Sequence, residues 1–138
     1  MDEPVSCGID IEEINRFKKF IKFPDTVEPF ISSVFTSEEI KHSLSFGTLL
    51  PFALGFSCKE SVFKAFGISW TNSSIKWQEV ELIFPEKGNI QKYELLLNGY
   101  AKELFKEKNF ARFESSFEFN QDFVVFKFLL LKNQITNG

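Results

Sequence analysis

Three charged residues in two separate segments of the chain have the types and spacing needed for chemistry on phosphates. Asp10 follows an apolar run near the N-terminus, and Glu60 and Lys64 lie four residues apart in a later, largely apolar segment. Residues at i and i+4 share one face of a helix. A hard cation bound to a pyrophosphate needs only one or two protein carboxylates, because phosphate oxygens and water complete its coordination. We therefore predict that Asp10 and Glu60 hold Mg²⁺ and that Lys64 neutralises a phosphate.

Each of these residues also has a simpler interpretation. Glu60 and Lys64 fit a surface ion pair, which contributes only about 0.3–0.5 kcal/mol, and Asp10 fits a solvated acid that caps the next helix. The helix predicted over residues 51–66 argues against a surface pair, because apolar side chains occupy most of its circumference. A charged strip on a buried helix needs a partner or a metal ion.

Hydrophobic periodicity predicts the elements that position these residues. Residues 5–11 are predicted to form a strand, in which Asp10 points to the opposite face from Ile9 and Ile11. Residues 51–66 are predicted to form a central, buried helix, with a proline in its first turn and a glycine after its end.

Residues 12–23 are also predicted to be helical, with Ile14, Phe17 and Ile21 on one face and Pro24 ending the helix. A further helix is predicted from Thr36, with Glu39 at capping-box spacing. After the central helix, the sequence predicts strands over 77–84 and 93–97, a helix over 99–108, and a hairpin of strands 112–119 and 123–131. Crossovers and hairpins together predict an α+β fold.

Composition and charge exclude several classes of protein. The chain has 16 Lys and Arg against 19 Asp and Glu, and this net charge of −3 excludes a strong general nucleic-acid binder. No apolar run reaches the roughly 20 residues that span a bilayer, and the N-terminus lacks the features of a signal peptide. Cys7 and Cys58 have no metal-binding spacing and are expected to be reduced thiols. We expect a single cytoplasmic domain over residues 1–138, with neither a membrane nor a nucleic acid as partner.

A basic cluster interrupts this acidic chain. Residues 16–22 contain four positive charges and no negative charge, from Arg16, Lys18, Lys19 and Lys22. Such a run is either a solvated helix face or a docking surface for an acidic partner, where complementary charge acts mainly on encounter rate and register.

Three ordered segments resemble the holo-acyl-carrier-protein synthase family. They are residues 8–16 (GIDIEEINR), 35–39 (FTSEE) and 55–67, which include KESVFKAFG, and their spacings agree with those of the family. Residues 97–101 (LNGYA) are similar to a further family segment. One such motif is a weak signal, whereas three in order are a strong one.

The resemblance implies an α+β fold with an antiparallel sheet on a long central helix, and a homotrimer with active sites between subunits. It implies transfer of the 4′-phosphopantetheine arm of coenzyme A to a serine of an acidic apo acyl carrier protein, with release of 3′,5′-ADP. The resemblance implies Mg²⁺ binding by Asp10 and Glu60 and catalysis by these two and Lys64. It also implies coenzyme A binding by Lys64, Lys59, Phe56 and Gly67, and carrier binding by Arg16. Because carrier proteins are acidic, Lys19 and Lys22 of the basic cluster are expected to bind the carrier as well. Glu60 is also the implied base for the carrier serine, directly or through water.

The chain departs from the family pattern in places, and two alternatives therefore stay open. Gly55 stands where the family has an arginine, and residues 114–118 contain no histidine where the family has one. The only histidine, His42, is expected at the surface. One alternative is a homologue that has lost catalysis and binds coenzyme A or a carrier protein without transfer. The other is an unrelated α+β binding module with coincidental motifs.

Overall fold

The computed structural model describes residues 2–68 and 75–134. The strands are β1 (Asp2–Glu13), β2 (Ile21–Lys22), β3 (Thr26–Val27), β4 (Val80–Ile83), β5 (Glu94–Leu97), β6 (Arg112–Phe119) and β7 (Phe123–Asn133). The α-helices are α1 (Pro29–Val34), α2 (Ser37–Ser45), α3 (Leu50–Phe66) and α4 (Gly99–Glu107), with 3₁₀ helices at Ile14–Phe20 and Trp77–Glu79.

Helix α3 is the element around which the rest of the chain packs. Pro51 lies in its first turn, where a missing N–H costs nothing, and Gly67 ends it in the left-handed conformation at φ 73°. Most of its side chains are buried, and Phe52, Leu54 and Val62 are completely inaccessible. The predicted central, buried helix is therefore confirmed. Among the residues that the structure describes, no helix has both the length and the apolar character needed to cross a membrane.

One face of an antiparallel sheet packs on α3. Its strand order is β1-β7-β6, and β2-β3 and β4-β5 form two further ladders. The predicted hairpin between β6 and β7 is confirmed, and the side chain of Asn120 accepts hydrogen bonds from the backbone N–H groups of Asp122 and Phe123 in its loop. The structure confirms an α+β fold with an antiparallel sheet on a long central helix.

The predicted helix over residues 12–23 is wrong. Strand β1 continues to Glu13, because β7 offers it an unbroken partner in which Glu12 lies opposite Val124 and Glu13 opposite Phe123. The chain then turns through the 3₁₀ helix Ile14–Phe20. Phe17 is nevertheless buried. The apolar spacing therefore predicted correctly that Phe17 faces the core, although the backbone there is not an α-helix. Pairing over a whole strand overrode a local helical pattern.

The remaining elements follow the predictions with smaller differences. The capping box at the start of α2 is present, since Thr36 and Glu39 exchange side chain to backbone hydrogen bonds. Helix α4 and strand β5 lie where they were predicted. The strand predicted over 77–84 begins with a 3₁₀ turn, and the sequence analysis missed the short helix α1.

Candidate active site

The site begins with a close approach of β1 to α3 at Gly8. A Cβ atom on Gly8 would lie 1.7 Å from the carbonyl oxygen of Ser61, so no other residue fits between this strand and helix without a shift. Two residues further along β1, the hydroxyl of Ser57 donates a hydrogen bond of 2.8 Å to the backbone oxygen of Asp10. These contacts fix β1 directly over the charged strip of α3.

This contact brings Asp10, Glu60 and Lys64 together. The Lys64 ammonium lies 3.0 Å from Oδ1 of Asp10 and donates a second hydrogen bond of 3.1 Å to the backbone oxygen of Ile9. Asp10 is only 7% exposed. Ile9 and Ile11, its neighbours in the strand, are exposed on the opposite face, as strand alternation predicts.

These residues line an open cavity of about 550 Å³, which is within the usual range for small-molecule sites. Its lining combines charged side chains with a second, largely apolar set. We call the charged side chains the charged wall, which comprises Asp10, Glu12, Arg16, Glu60 and Lys64, and the others the apolar wall, which comprises Phe30, Ser33, Val34, Phe56 and Trp77. The rings of Phe56 and Trp77 stack with their centroids 5.2 Å apart. The cavity therefore offers charge to a phosphate and flat apolar surface to the rest of a ligand.

Crowding of carboxylates shapes the electrostatics of the charged wall. Burial, followed by the negative charge of Asp10, raises the pKa of Glu60, whereas Lys64 and Arg16 act in the opposite direction. Burial and the neighbouring Asp10 also raise the pKa of Glu12 to about 7, against the lowering effect of Arg16. A cation placed among these carboxylates would relieve their repulsion.

The donor set fits a hard cation. Oδ2 of Asp10 is buried, and in the described part of the chain it has no hydrogen-bond partner. A buried carboxylate oxygen without a partner is costly. No group of three or more His, Cys, Asp or Glu side chains in the described residues has the arrangement of a protein-only metal site. Asp10 and Glu60 would therefore share a cation with the ligand's phosphates, which is the usual situation for Mg²⁺.

Glu12 is the residue of this wall that the sequence analysis did not identify. The predicted helix over residues 12–23 began at Glu12, whereas Glu12 lies in β1 and is only 8% exposed. The signal was present in the sequence, because Gly8, Asp10 and Glu12 alternate with the exposed Ile9 and Ile11. Extending the strand by two residues would have placed Glu12 beside Asp10.

The basic cluster lies beside the cavity. A second, shallow hollow of about 540 Å³ is lined by Asn15, Arg16, Lys18 and Lys19. Lys22 is exposed on β2 and does not line this hollow. Three of the four cationic side chains are thus grouped around one depression.

Lys59 is placed away from the cavity, in contrast to the expectation that it binds coenzyme A. It is completely buried, and its ammonium lies 2.8 Å from Oε1 of Glu39. It also donates hydrogen bonds to the backbone oxygens of Trp77 and Val80. Burial raises the pKa of Glu39, and Lys59 opposes that shift. The geometry gives Lys59 a structural role, because its donors are used within the core.

Two glycines of α3 have structural explanations. Gly67, also expected to contact coenzyme A, ends the helix and does not line the cavity. At Gly55, where the resembling family has an arginine, a Cβ atom would lie 2.7 Å from the ring of Phe35. Phe35 is 2% exposed, so its ring occupies the space that a larger residue at position 55 would need.

Fold and cavity together define a class of protein: an α+β chain with a two-walled site suited to a cation and a phosphorylated ligand. The chain belongs to the 4′-phosphopantetheinyl transferase superfamily, whose sequence profile matches residues 6–125. It is similar to the holo-[acyl-carrier-protein] synthase of Geotalea daltonii, with 36% identity over 106 residues that cover 72% of this chain and 76% of that protein.

A second relative agrees with this membership, and a solved structure shares the fold. The holo-[acyl-carrier-protein] synthase of Caldanaerobacter subterraneus is 33% identical over 123 residues, covering 88% of this chain and 90% of that protein. The crystal structure of a holo-(acyl-carrier-protein) synthase from Bacillus anthracis in complex with CoA (3′,5′-ADP) has a TM-score of 0.67 and 21% identity, covering 94% of this chain and 98% of that chain. The family expected from the sequence motifs is therefore confirmed.

Proposed function

We propose that this protein transfers the 4′-phosphopantetheine group of coenzyme A to a serine of an apo acyl carrier protein, in a reaction that depends on Mg²⁺. The observation that carries the proposal is the meeting of Asp10, Glu60 and Lys64 in one cavity, where a buried oxygen of Asp10 has no hydrogen-bond partner among the described residues. Membership of the superfamily and the synthase relatives support the same reaction. The family match over residues 6–125 also supports treating residues 1–138 as one domain.

Asp10 and Glu60 would hold the cation against the pyrophosphate of coenzyme A. The cation supplies charge neutralisation, which is most of what phosphoryl transfer requires. Lys64 keeps Asp10 in place and is half-exposed, so its ammonium can also meet a phosphate oxygen. The apolar wall with Phe56 offers a surface to the less polar parts of coenzyme A.

The carboxylate of Glu60 would accept the proton of the carrier serine, directly or through a water molecule. The serine oxygen forms a bond to the phosphorus that carries the pantetheine arm, and the bond from that phosphorus to 3′,5′-ADP breaks. Arg16 and Lys19 in the basic hollow, with Lys22 nearby, would bind the acidic carrier.

We also propose that the chain forms a homotrimer through the outer face of its sheet. Ile9, Ile11 and Phe123 are 47%, 62% and 46% exposed on that face. Exposed apolar side chains on one face of a sheet are typical of protein interfaces. The cytoplasmic location, and the exclusion of membrane and nucleic-acid partners, remain predictions from the sequence.

Mass spectrometry of an apo acyl carrier protein, incubated with this protein and coenzyme A, tests the reaction. We expect a gain of one phosphopantetheinyl group with Mg²⁺ and none with EDTA. Glu60→Gln should abolish the gain and leave the thermal unfolding midpoint almost unchanged. Glu103→Gln, at an exposed position of α4, is the matched control and should retain full activity.

Other outcomes would reject parts of the proposal. Full activity in Glu60→Gln would remove Glu60 from the mechanism. An absence of transfer from the folded wild-type protein, across several carrier proteins, would favour the homologue that has lost catalysis. Titration with coenzyme A would then show whether the ligand is still bound.

A further inference from the structure

Arg16 forms part of the wall of both hollows. It lines the cavity that contains Asp10 and Glu60, and it also lines the basic hollow with Lys18 and Lys19. No other residue is common to these two hollows in the described part of the chain. A ligand in the basic hollow that contacts Arg16 is therefore separated from the catalytic cavity only by the Arg16 side chain.

Glu12 fixes the position of this arginine. Oε2 of Glu12 lies 2.5 Å from a terminal nitrogen of Arg16, and the Arg16 side chain is 45% exposed whereas that of Glu12 is 10% exposed. The guanidinium also lies 4.8 Å from the ring centroid of Phe56 and 5.6 Å from that of Phe17. A long side chain at the surface is thereby held by one ion pair and two ring contacts.

The contacts leave part of the guanidinium available. An arginine has five N–H donors in a planar fork. Within the described residues, Glu12 is its only ion-pair and hydrogen-bond partner, through one terminal nitrogen. The arrangement presents the other donors from a pre-organised position, which reduces the conformational entropy lost on binding.

We propose that Glu12 is a positioning residue that holds Arg16 at the boundary of the two hollows, so that an acidic side chain of the carrier protein docks on a pre-oriented guanidinium beside the catalytic cavity. This inference rests on the proposed function, because it takes an acidic carrier protein as the partner. It gives Glu12 a role distinct from the cation ligands. Its carboxylate is already engaged by Arg16, and no three-residue metal cluster exists among the described residues.

The test compares carrier binding and transfer in Glu12→Gln, Arg16→Gln and the double variant. Glu13→Gln is the matched control, because Glu13 is the adjacent acid, exposed on the other face of β1. Binding is measured by fluorescence anisotropy with a labelled apo acyl carrier protein whose acceptor serine is replaced by alanine. Transfer is measured as kcat and as KM for the carrier, for coenzyme A and for Mg²⁺.

We expect Glu12→Gln to weaken carrier binding and raise KM for the carrier by about three- to tenfold, a larger change than in KM for coenzyme A or in the Mg²⁺ requirement. In the Arg16→Gln background the same substitution should have no further effect on carrier binding, because residues that act through one contact are not additive. Glu13→Gln should bind the carrier as wild type does.

Three results would overturn the inference. An equal effect of Glu12→Gln with and without Arg16 would show that Glu12 does not act through the arginine. A raised Mg²⁺ requirement with normal carrier binding would make Glu12 a cation ligand. If the wild-type protein binds no carrier, Arg16 is not a carrier-docking residue. Binding without transfer would instead count against the proposed function alone, because the anisotropy measurements still decide the role of Glu12.

Discussion

Two lysines five residues apart on α3 illustrate how environment decides the role of a side chain. Lys59 is completely buried with Glu39, and Lys64 is half-exposed beside Asp10 at the cavity. Removing one partner of a buried ion pair leaves an uncompensated charge, whereas a partly exposed pair contributes little to stability. The first lysine therefore serves the fold, and the second is available to a ligand.

We predict that Lys59→Met lowers the free energy of unfolding by about 3–5 kcal/mol. Lys64→Met should lower it by less than about 1 kcal/mol, and it should abolish transfer. Both substitutions remove one positive charge and keep a similar stem, so each is the control for the other. Urea unfolding followed by fluorescence measures both. Adding Glu39→Gln to Lys59→Met should restore part of the lost free energy of unfolding, because no unpaired carboxylate then remains buried. Equal stability of the two single variants would contradict the buried pair.

At the residue scale, the sequence was informative where the signal is local to a motif. It predicted that Asp10, Glu60 and Lys64 act together, because their types and spacing suit a cation and a phosphate, and the structure places all three at one cavity. Lys59 was predicted to bind coenzyme A, whereas the structure places it away from the cavity, because its partner, Glu39, is 20 residues away and meets it only in the folded core. Glu12 was missed because its role depends on how far β1 extends, and only the pairing with β7 determines that length.

At the scale of elements, the close contact between β1 and α3 positions the site. Helix α3, the capping box of α2 and the β6–β7 hairpin were predictable, since their signals lie within the elements themselves. The end of β1 was ambiguous, because strand alternation continues through Glu12 while the spacing of Ile14, Phe17 and Ile21 favours a helix. Long-range pairing decided between the two.

We predict that Gly8→Ala separates β1 from α3 and reduces both stability and transfer. The added Cβ would meet a backbone carbonyl at 1.7 Å, which cannot rotate away, and overpacking of this kind costs about 1–3 kcal/mol or more. Gly88→Ala is the control, since position 88 is open and only its φ of 79° is unfavourable. Thermal unfolding and the transfer assay give the two readouts. A Gly8→Ala variant with wild-type activity would show that the site tolerates movement of the strand.

At the scale of the whole molecule, the sheet has one covered face and one open face. Helix α3 covers the inner face, while Cys7, Ile9 and Ile11 lie along the outer face of β1. Cys58, by contrast, is fully buried, and burial raises the pKa of its thiol. The reactivities of the two cysteines therefore distinguish the exposed outer face of the sheet from the buried core.

We predict that an alkylating reagent modifies Cys7 and leaves Cys58 unmodified until the protein unfolds. If the outer face forms the trimer, the rate at Cys7 should fall as protein concentration rises. Ile11→Lys should prevent association and make that rate independent of concentration. Light scattering measures the oligomer in parallel. A trimer with a fully reactive Cys7 would place the interface on another surface.

The register of β1 against β7 determines which side chains of β1 face the cavity. Asp10 lies opposite Phe126, and successive side chains alternate between the cavity and the outer face. Deleting one residue between Gly8 and Glu12 would turn the acids of the charged wall outward and the isoleucines inward. The pairing already contains a register shift between Pro4 and Ser6, where an extra residue is absorbed. Changes in length are therefore tolerable before Ser6, whereas after it even a single-residue change would move the acids out of the cavity.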